Sequence, residues 1–174
     1  MPFEQVNAKV ASAPVAPGRE VLARRGAMLA YTGHVGFAPV RATSGGLGGM
    51  AGRMMAGEQV AMMVAQGQGT VYYGYRGMHV TIIDVGQSGP LTVEADRLVA
   101  HDAALQATLV FLGSQGGIRG AVRGAVSGQG LFTTQLHGDG TAVVLAHGGT
   151  IALPVHPARP PRSTRRRSYR TSAR

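Results

Sequence analysis

Apolar and β-branched residues along this chain come in short runs, each cut off by glycine, and residues 128–155 show the pattern most clearly. That stretch, GQGLFTTQLHGDGTAVVLAHGGTIALPV, predicts three strands, at 131–136, 141–146 and 150–155. Gly138, Gly140 and Gly148 fall between the strands and are assigned to turns, because glycine takes up positive φ without steric cost. In the middle strand Ala142, Val144 and Ala146 alternate with Thr141, Val143 and Leu145. Both of its faces are nearly free of charge, so the strand belongs inside a sandwich or barrel.

The same pattern occurs earlier in the chain. Displaced by 71 residues, 44–77 overlies 115–148 without a gap, and Gly67, Gly69 and Gly77 fall on Gly138, Gly140 and Gly148. These three are read as the matching turns of a first meander with strands at 59–65, 70–74 and 78–84. Upstream, short strands are expected at 21–23, 27–31 and 35–38, broken at Gly26 and Gly33, behind a weakly patterned lead-in at 1–18. Beyond the turn at 86–90, strands are expected at 91–94, 97–101 and 108–112. The expected fold is all-β, a β-sandwich or double-stranded β-helix-like arrangement of two homologous meander units with short Gly-rich connectors. Unit one spans about 19–86 and unit two about 90–156, within a single domain at 1–157.

Composition sharpens this picture at three points. Glycine accounts for 27 of the 174 residues and aromatics for 5%, which favours many short strands over helices. There is no cysteine, so disulfides, thiolate metal sites and thiol catalysis are excluded. The formal charge of +9 is unevenly placed: residues 1–155 hold ten Lys and Arg against eight Asp and Glu, and seven arginines follow. The basic character therefore belongs to residues 158–174, an Arg/Pro/Ser-rich segment without periodicity that is expected to be disordered. Arg165, Arg166, Arg167 and Arg170 make it a candidate for nonspecific binding of nucleic acid or anionic lipid. No secretory leader opens the sequence and no apolar run approaches the ~18–20 residues of a membrane span, so a cytoplasmic location is expected.

Candidate chemistry is sparse. The Gly-rich connectors at 44–57 and 113–128 lack the Lys and the strand–helix setting of a phosphate loop. His34, His79, His101, His137, His147 and His156 never stand two apart, as paired metal ligands on one strand face would. His137 and His147, with Asp139, are the pair a hairpin would bring together, yet turn or surface positions are the preferred reading. Ser88 and Ser114 do not sit in a nucleophile elbow, and neither Glu94 with Asp96 nor His101 with Asp102 carries the spacing of an acid–base device. Met50, Met54, Met55, Met62 and Met63 cluster within a short stretch and are assigned to core or to an oligomer interface.

Three blocks, LARRGAMLAYTGHVGF at 22–37, LTVEADRLVAHDAAL at 91–105 and the 128–155 stretch, resemble the altered-inheritance-of-mitochondria protein twenty-four family, the mitochondrial-biogenesis family, and its bacterial members in particular. The resemblance covers roughly residues 1–157. It implies an all-β fold similar to the tryptophan RNA-binding attenuator protein, often oligomeric, and it brings no catalytic residues to carry over. Members of the family usually continue past IALPV into a further unit, where this chain has its Arg/Pro/Ser tail, the kind of break a frameshift or truncation produces. The resulting expectation is a non-enzymatic, homo-oligomeric scaffold or binding module without cofactor, with a protein or peripheral-membrane partner. The alternatives are nucleic-acid binding through the attenuator-like fold and basic tail, and a cupin-like metal or small-molecule site.

Overall fold

The computed structural model describes residues 3–40, 61–111, 132–153 and 170–171. Its first half contains β1 (Glu4–Asn7), β2 (Val10–Val15), β3 (Val21–Arg24), β4 (Met28–Pro39) and β5 (Met62–Tyr73). Its second half contains β6 (His79–Asp84), the single helical turn α1 (Val85–Ser88), β7 (Leu91–Glu94), β8 (Leu98–Asp102), β9 (Gln106–Phe111), β10 (Phe132–His137) and β11 (Thr141–Ala146). A two-residue strand, β12 (Arg170–Thr171), completes the described set. The fold is all-β, and every ladder is antiparallel.

One sheet runs β1-β2-β5-β3-β8-β11-β6, with β4 on the other edge of β5. It bends round until its ends meet: Val80 N–H in β6 donates to the Ala8 carbonyl at 2.9 Å. The Gln5 side-chain amide reaches back to the Val80 carbonyl at 3.3 Å. The result is a nearly closed barrel. The second sheet, β12-β7-β10-β9, lies against its outside.

Strand alternation explains the two cores. Ala11, Ala13 and Val15, Val21 and Ala23, Val71 and Tyr73, and Val143 and Leu145 recur at every second position and fill the barrel with Phe3 and Val99. The opposite residues of β11, Ala142 and Val144, pack with Ile83, Leu98, Leu91, Val93 and Leu136 between the two sheets. β11 is thus a wall with a core on each side, which is why it needs apolar residues at consecutive positions.

The ladders of the two halves follow one rule. Adding 70 to residues of β2, β3 and β4, and 71 to residues of β5, converts the first-half pairs into observed second-half pairs, except Val15–Gly69 and those of β4 from Thr32 to Val35, where the second half breaks between β8 and β9 and between β10 and β11. Ala11 opposite Tyr73 becomes Thr81 opposite Val144. Val21 opposite Ala65 becomes Leu91 opposite Leu136. Ala30 opposite Tyr72 becomes Ala100 opposite Val143. Phe37 opposite Ala65 becomes Ala107 opposite Leu136. Even the bulges match, with Leu29 skipped in the β4 register and Val99 in that of β8.

Several expectations change. The lead-in at 1–18 is structured, as β1 and β2. The pieces expected at 27–31 and 35–38 are one strand, β4, and those at 59–65 and 70–74 are one strand, β5. Gly67 and Gly69 are therefore not hairpin turns: they lie inside β5, where it passes from pairing with β3 to pairing with β2. Their counterparts Gly138 and Gly140 sit between β10 and β11, which enter different sheets, so this is a crossing between layers and not a hairpin. No strand forms over 150–153; the remainder of that expected strand, the two Gly-rich connectors and the methionines at 50, 54 and 55 lie outside the described residues. The matched ladders divide the chain before β6, upstream of the seam expected at 86–90.

Glycine is required at the β4–β5 contact for lack of room. A Cβ on Gly69 would run into the Thr32 carbonyl oxygen, and one on Gly67 into that of His34; Gly67 also has φ 119°, outside the range of L-residues. Gly77 has φ 66° but open space around it. Gly67→Ala and Gly69→Ala should each cost about 3 kcal/mol or more, because backbone must move. Gly77→Ala should cost about 1–2 kcal/mol, from its left-handed conformation alone. Denaturant unfolding of the three variants checks the order; equal losses would contradict the close crossing.

Candidate functional site

Two polar clusters and the long exposed strand β4 stand out among the described residues. The first cluster lies at the junction of the halves. Arg24, the last residue of β3, is buried; its Nη1 donates to the Asp96 carbonyl at 2.6 Å, and its guanidinium lies 4.1 Å from the centre of the Tyr75 ring. Burial lowers the Arg24 pKa from its ordinary value, against the raising influence of Tyr75 and Asp96. Arg97 lies in the β7–β8 turn next to Asp96, its Nε 3.7 Å from Glu94 Oε2 and 3.8 Å from Asp96 Oδ2. These charges bind backbone and one another across β3, β7 and β8, which makes the cluster a rivet between halves.

The second cluster starts β11. Asp102 Oδ2 accepts the Thr141 backbone N–H at 2.7 Å and the Thr141 hydroxyl at 3.2 Å. The neighbouring His101 is almost fully buried, and its Nδ1–H donates to the Asp102 carbonyl at 2.8 Å. That carbonyl can only accept, so the neutral ring carries its proton on Nδ1. The carboxylate is engaged with Thr141 while the imidazole is engaged with main chain. Chemically, the arrangement holds a strand end.

The sequence candidates separate in space. His34 lies in β4, His79 opens β6, His137 ends β10 and His147 follows β11. His137 and His147 are not brought together by a hairpin, since β10 and β11 join different sheets. Among the described residues no group of three or more His, Asp or Glu is placed to hold a metal ion. Glu94 and Asp96 flank Arg97. Gly77, Gly138 and Gly148 have φ of 66°, 110° and 85°. Of the four tail arginines, Arg170 is in β12 against β7, and Arg165, Arg166 and Arg167 lie outside the described residues.

The exposed strand is β4, which sequence reasoning treated as ordinary strand. Met28, Leu29 and Tyr31 are 40%, 56% and 49% exposed. By the ladder rule their counterparts in β8 are Leu98, Val99 and His101, exposed 4%, 0% and 2%. The two strands have kindred sequences, MLAYT and LVAHD, yet one is buried on both faces and the other is bare. Among the described residues, β5 is the one strand that pairs with β4. Tyr31 stacks edge-on against Phe37 at 5.3 Å, so the apolar patch is ordered along the strand.

Two predictions follow from the clusters. Arg24→Ala should destabilise by about 2–4 kcal/mol, the sum of a charged hydrogen bond and a desolvated cation–π contact, measured by denaturant melts. Burial lowers the His101 pKa from its ordinary 6.5, outweighing the Asp102 carbonyl and charge, which raise it. The unfolded chain therefore takes up this proton first, and the stability that neutral His101 contributes is intact above about pH 6.5 and lost as pH falls below it. His101→Asn keeps a donor and removes the titration. Its melting curves between pH 7.5 and 5 should be flatter than those of the native chain, by at most about 1.4 kcal/mol per pH unit.

Comparison with known proteins agrees with this architecture. Among solved structures, the crystal structure of protein SPYM3_0169 from Streptococcus pyogenes superposes with a TM-score of 0.57 at 20% sequence identity, over 84% of this chain and 63% of that one. The likeness is one of fold, and this chain spans less than two thirds of that protein's length. No curated protein matches. The family model described as mitochondrial biogenesis AIM24 matches residues 3–160. With nearly the whole chain covered by that match, the protein belongs to the mitochondrial biogenesis AIM24 family.

Proposed function

We propose that this chain is a non-enzymatic scaffold whose working surface is the exposed strand β4. The observation that carries this reading is the contrast between β4 and β8: residues of the same pattern, in the same ladder register, are solvent-exposed in one half and buried in the other. A bare twelve-residue edge strand with apolar side chains on it is a template for pairing with another chain, and natural sheets ordinarily blunt such edges with charge, proline or bulges. Here the residues from Met28 to Thr32 carry no charge, and the blunting is limited to the bulge at Leu29 and to Pro39 at the last position of the strand. We read the matched ladders as one duplicated unit, so that β4 is the end of a series which β8 continues internally.

The ionisable groups on the inside support a structural role. Arg24, Asp102 and His101 each bind backbone, and Arg97 lies against two carboxylates. The family's description names a process, mitochondrial biogenesis, and no chemistry. A scaffold that contributes surface rather than reaction fits both.

The test is self-association. Sedimentation of the native chain from low to high micromolar concentration should show species larger than one chain. Leu29→Lys with Tyr31→Lys should weaken that association at least tenfold, a loss of about 1.4 kcal/mol or more, while the unfolding midpoint of the monomer moves little, because both residues are exposed. A native chain that stays monomeric throughout would defeat the proposal.

A further inference from the structure

The β3–β8 ladder joins the two halves of this chain. Val21 stands opposite Asp102, Leu22 opposite His101 and Ala23 opposite Ala100. Each partner in that ladder has a counterpart elsewhere in the molecule. The counterpart of β8 is β4, and the edge of β4 that faces away from β5 corresponds to the edge of β8 that takes β3. The counterpart of β3 is β7, and its edge away from β10 corresponds to the edge of β3 that takes β8. The chain thus carries both halves of its own junction a second time, on edges that do not meet each other.

We infer that β4 of one copy of this chain pairs antiparallel with β7 of a second copy, in the register of the β3–β8 ladder: Thr32 opposite Leu91, Tyr31 opposite Thr92, and Ala30 opposite Val93. The inference rests on the scaffold reading above and adds the occupant and the register. Among the described residues, the β7 edge is held within the chain by two residues, Arg170 opposite Thr92 and Thr171 opposite Leu91. That is half the length of β7, and the three-pair register of the β3–β8 ladder exceeds the two pairs that β12 makes and would displace it. The incoming strand also brings to Leu29 the kind of cover that Val99 has, since β3 and β8 share the barrel core through Val21, Ala23, Val99 and Ala100.

The contact is heterologous. Once β4 of the first copy meets β7 of the second, β7 of the first, held by β12 alone among the described strands, and β4 of the second remain for further copies, so copies add head to tail until a ring closes. A two-fold dimer is not the expected end point.

The absence of cysteine makes a clean test. Tyr31→Cys and Thr92→Cys are prepared as separate single variants, mixed and oxidised. Residues opposed in an antiparallel ladder stand about 4.5–5.5 Å apart between Cα atoms, within disulfide range. The mixture should yield a covalent dimer that neither variant yields alone, and mixing Tyr31→Cys with Thr108→Cys on β9 should not. With both cysteines in one chain, oxidation should produce a ladder of oligomers or a closed ring. As a measurement needing no substitution, the native chain at high concentration should gain hydrogen-exchange protection at Met28–Thr32 and at Leu91–Glu94 together. A doubly substituted chain that closes on itself as a monomer, a dimer equally abundant with Thr108→Cys, or protection that spares β7 would overturn the register. If the native chain still associates in those cases, the scaffold reading survives without this partner arrangement; if it never associates, both fall.

Discussion

Strands β8 and β11 carry apolar side chains on both faces, and that shared wall is the constraint from which the rest of the architecture follows. On one side Val99, Val143 and Leu145 close the barrel; on the other Leu98, Ala142 and Val144 receive the second sheet. A strand buried twice has no solvent face on which to place charge, so polar anchors are pushed to its ends. Asp102 fastens the first residue of β11, and Arg97 receives Leu145 through its carbonyl at 2.8 Å. Removing water from two faces at once also makes this wall the most costly part of the molecule to open.

The same wall explains why the first half looks unfinished. β5 occupies the place in the first half that β10 and β11 together occupy in the second. Its outer neighbour β4, however, is paired by no further strand among the described residues on the edge where β8 has β3. The bend that lets β5 serve two partners relies on backbone approaching backbone at Gly67 and Gly69, a contact closer than any side chain tolerates. Where Gly138 and Gly140 stand in the second half, the chain instead leaves one sheet for the other. One glycine pattern therefore serves two outcomes: continuity across a bend, and a crossing between layers.

Charge plays a supporting part. The arginines at the junction, Arg24 and Arg97, are fixed by carbonyls, carboxylates and the Tyr75 ring. Buried cations held this way favour one mutual placement of the halves over others, because displacement would strand a charge in a dry site. The orientation of the outer edges of β4 and β7 is inherited from that placement.

Much of this was legible in the residues themselves. Local pattern was enough for the all-β class, for the strands at 79–84, 91–94 and 141–146 to within a residue, and for the two-sided burial of β11, because alternation and uninterrupted apolar runs report directly on how many faces of a strand are dry. It was not enough for β1 and β2, whose small residues Ala11 and Ala13 give little hydrophobic signal and are buried because a barrel interior closes over them. Nor could it tell a turn glycine from one inside a strand: Gly67 and Gly138 look alike in sequence and differ in what their neighbours pair with. The exposure of β4 was beyond reach for the same reason. MLAYT and LVAHD are both apolar strand sequences, and burial depends on whether a second ladder arrives at the outer edge, a property of long-range pairing that single residues do not encode.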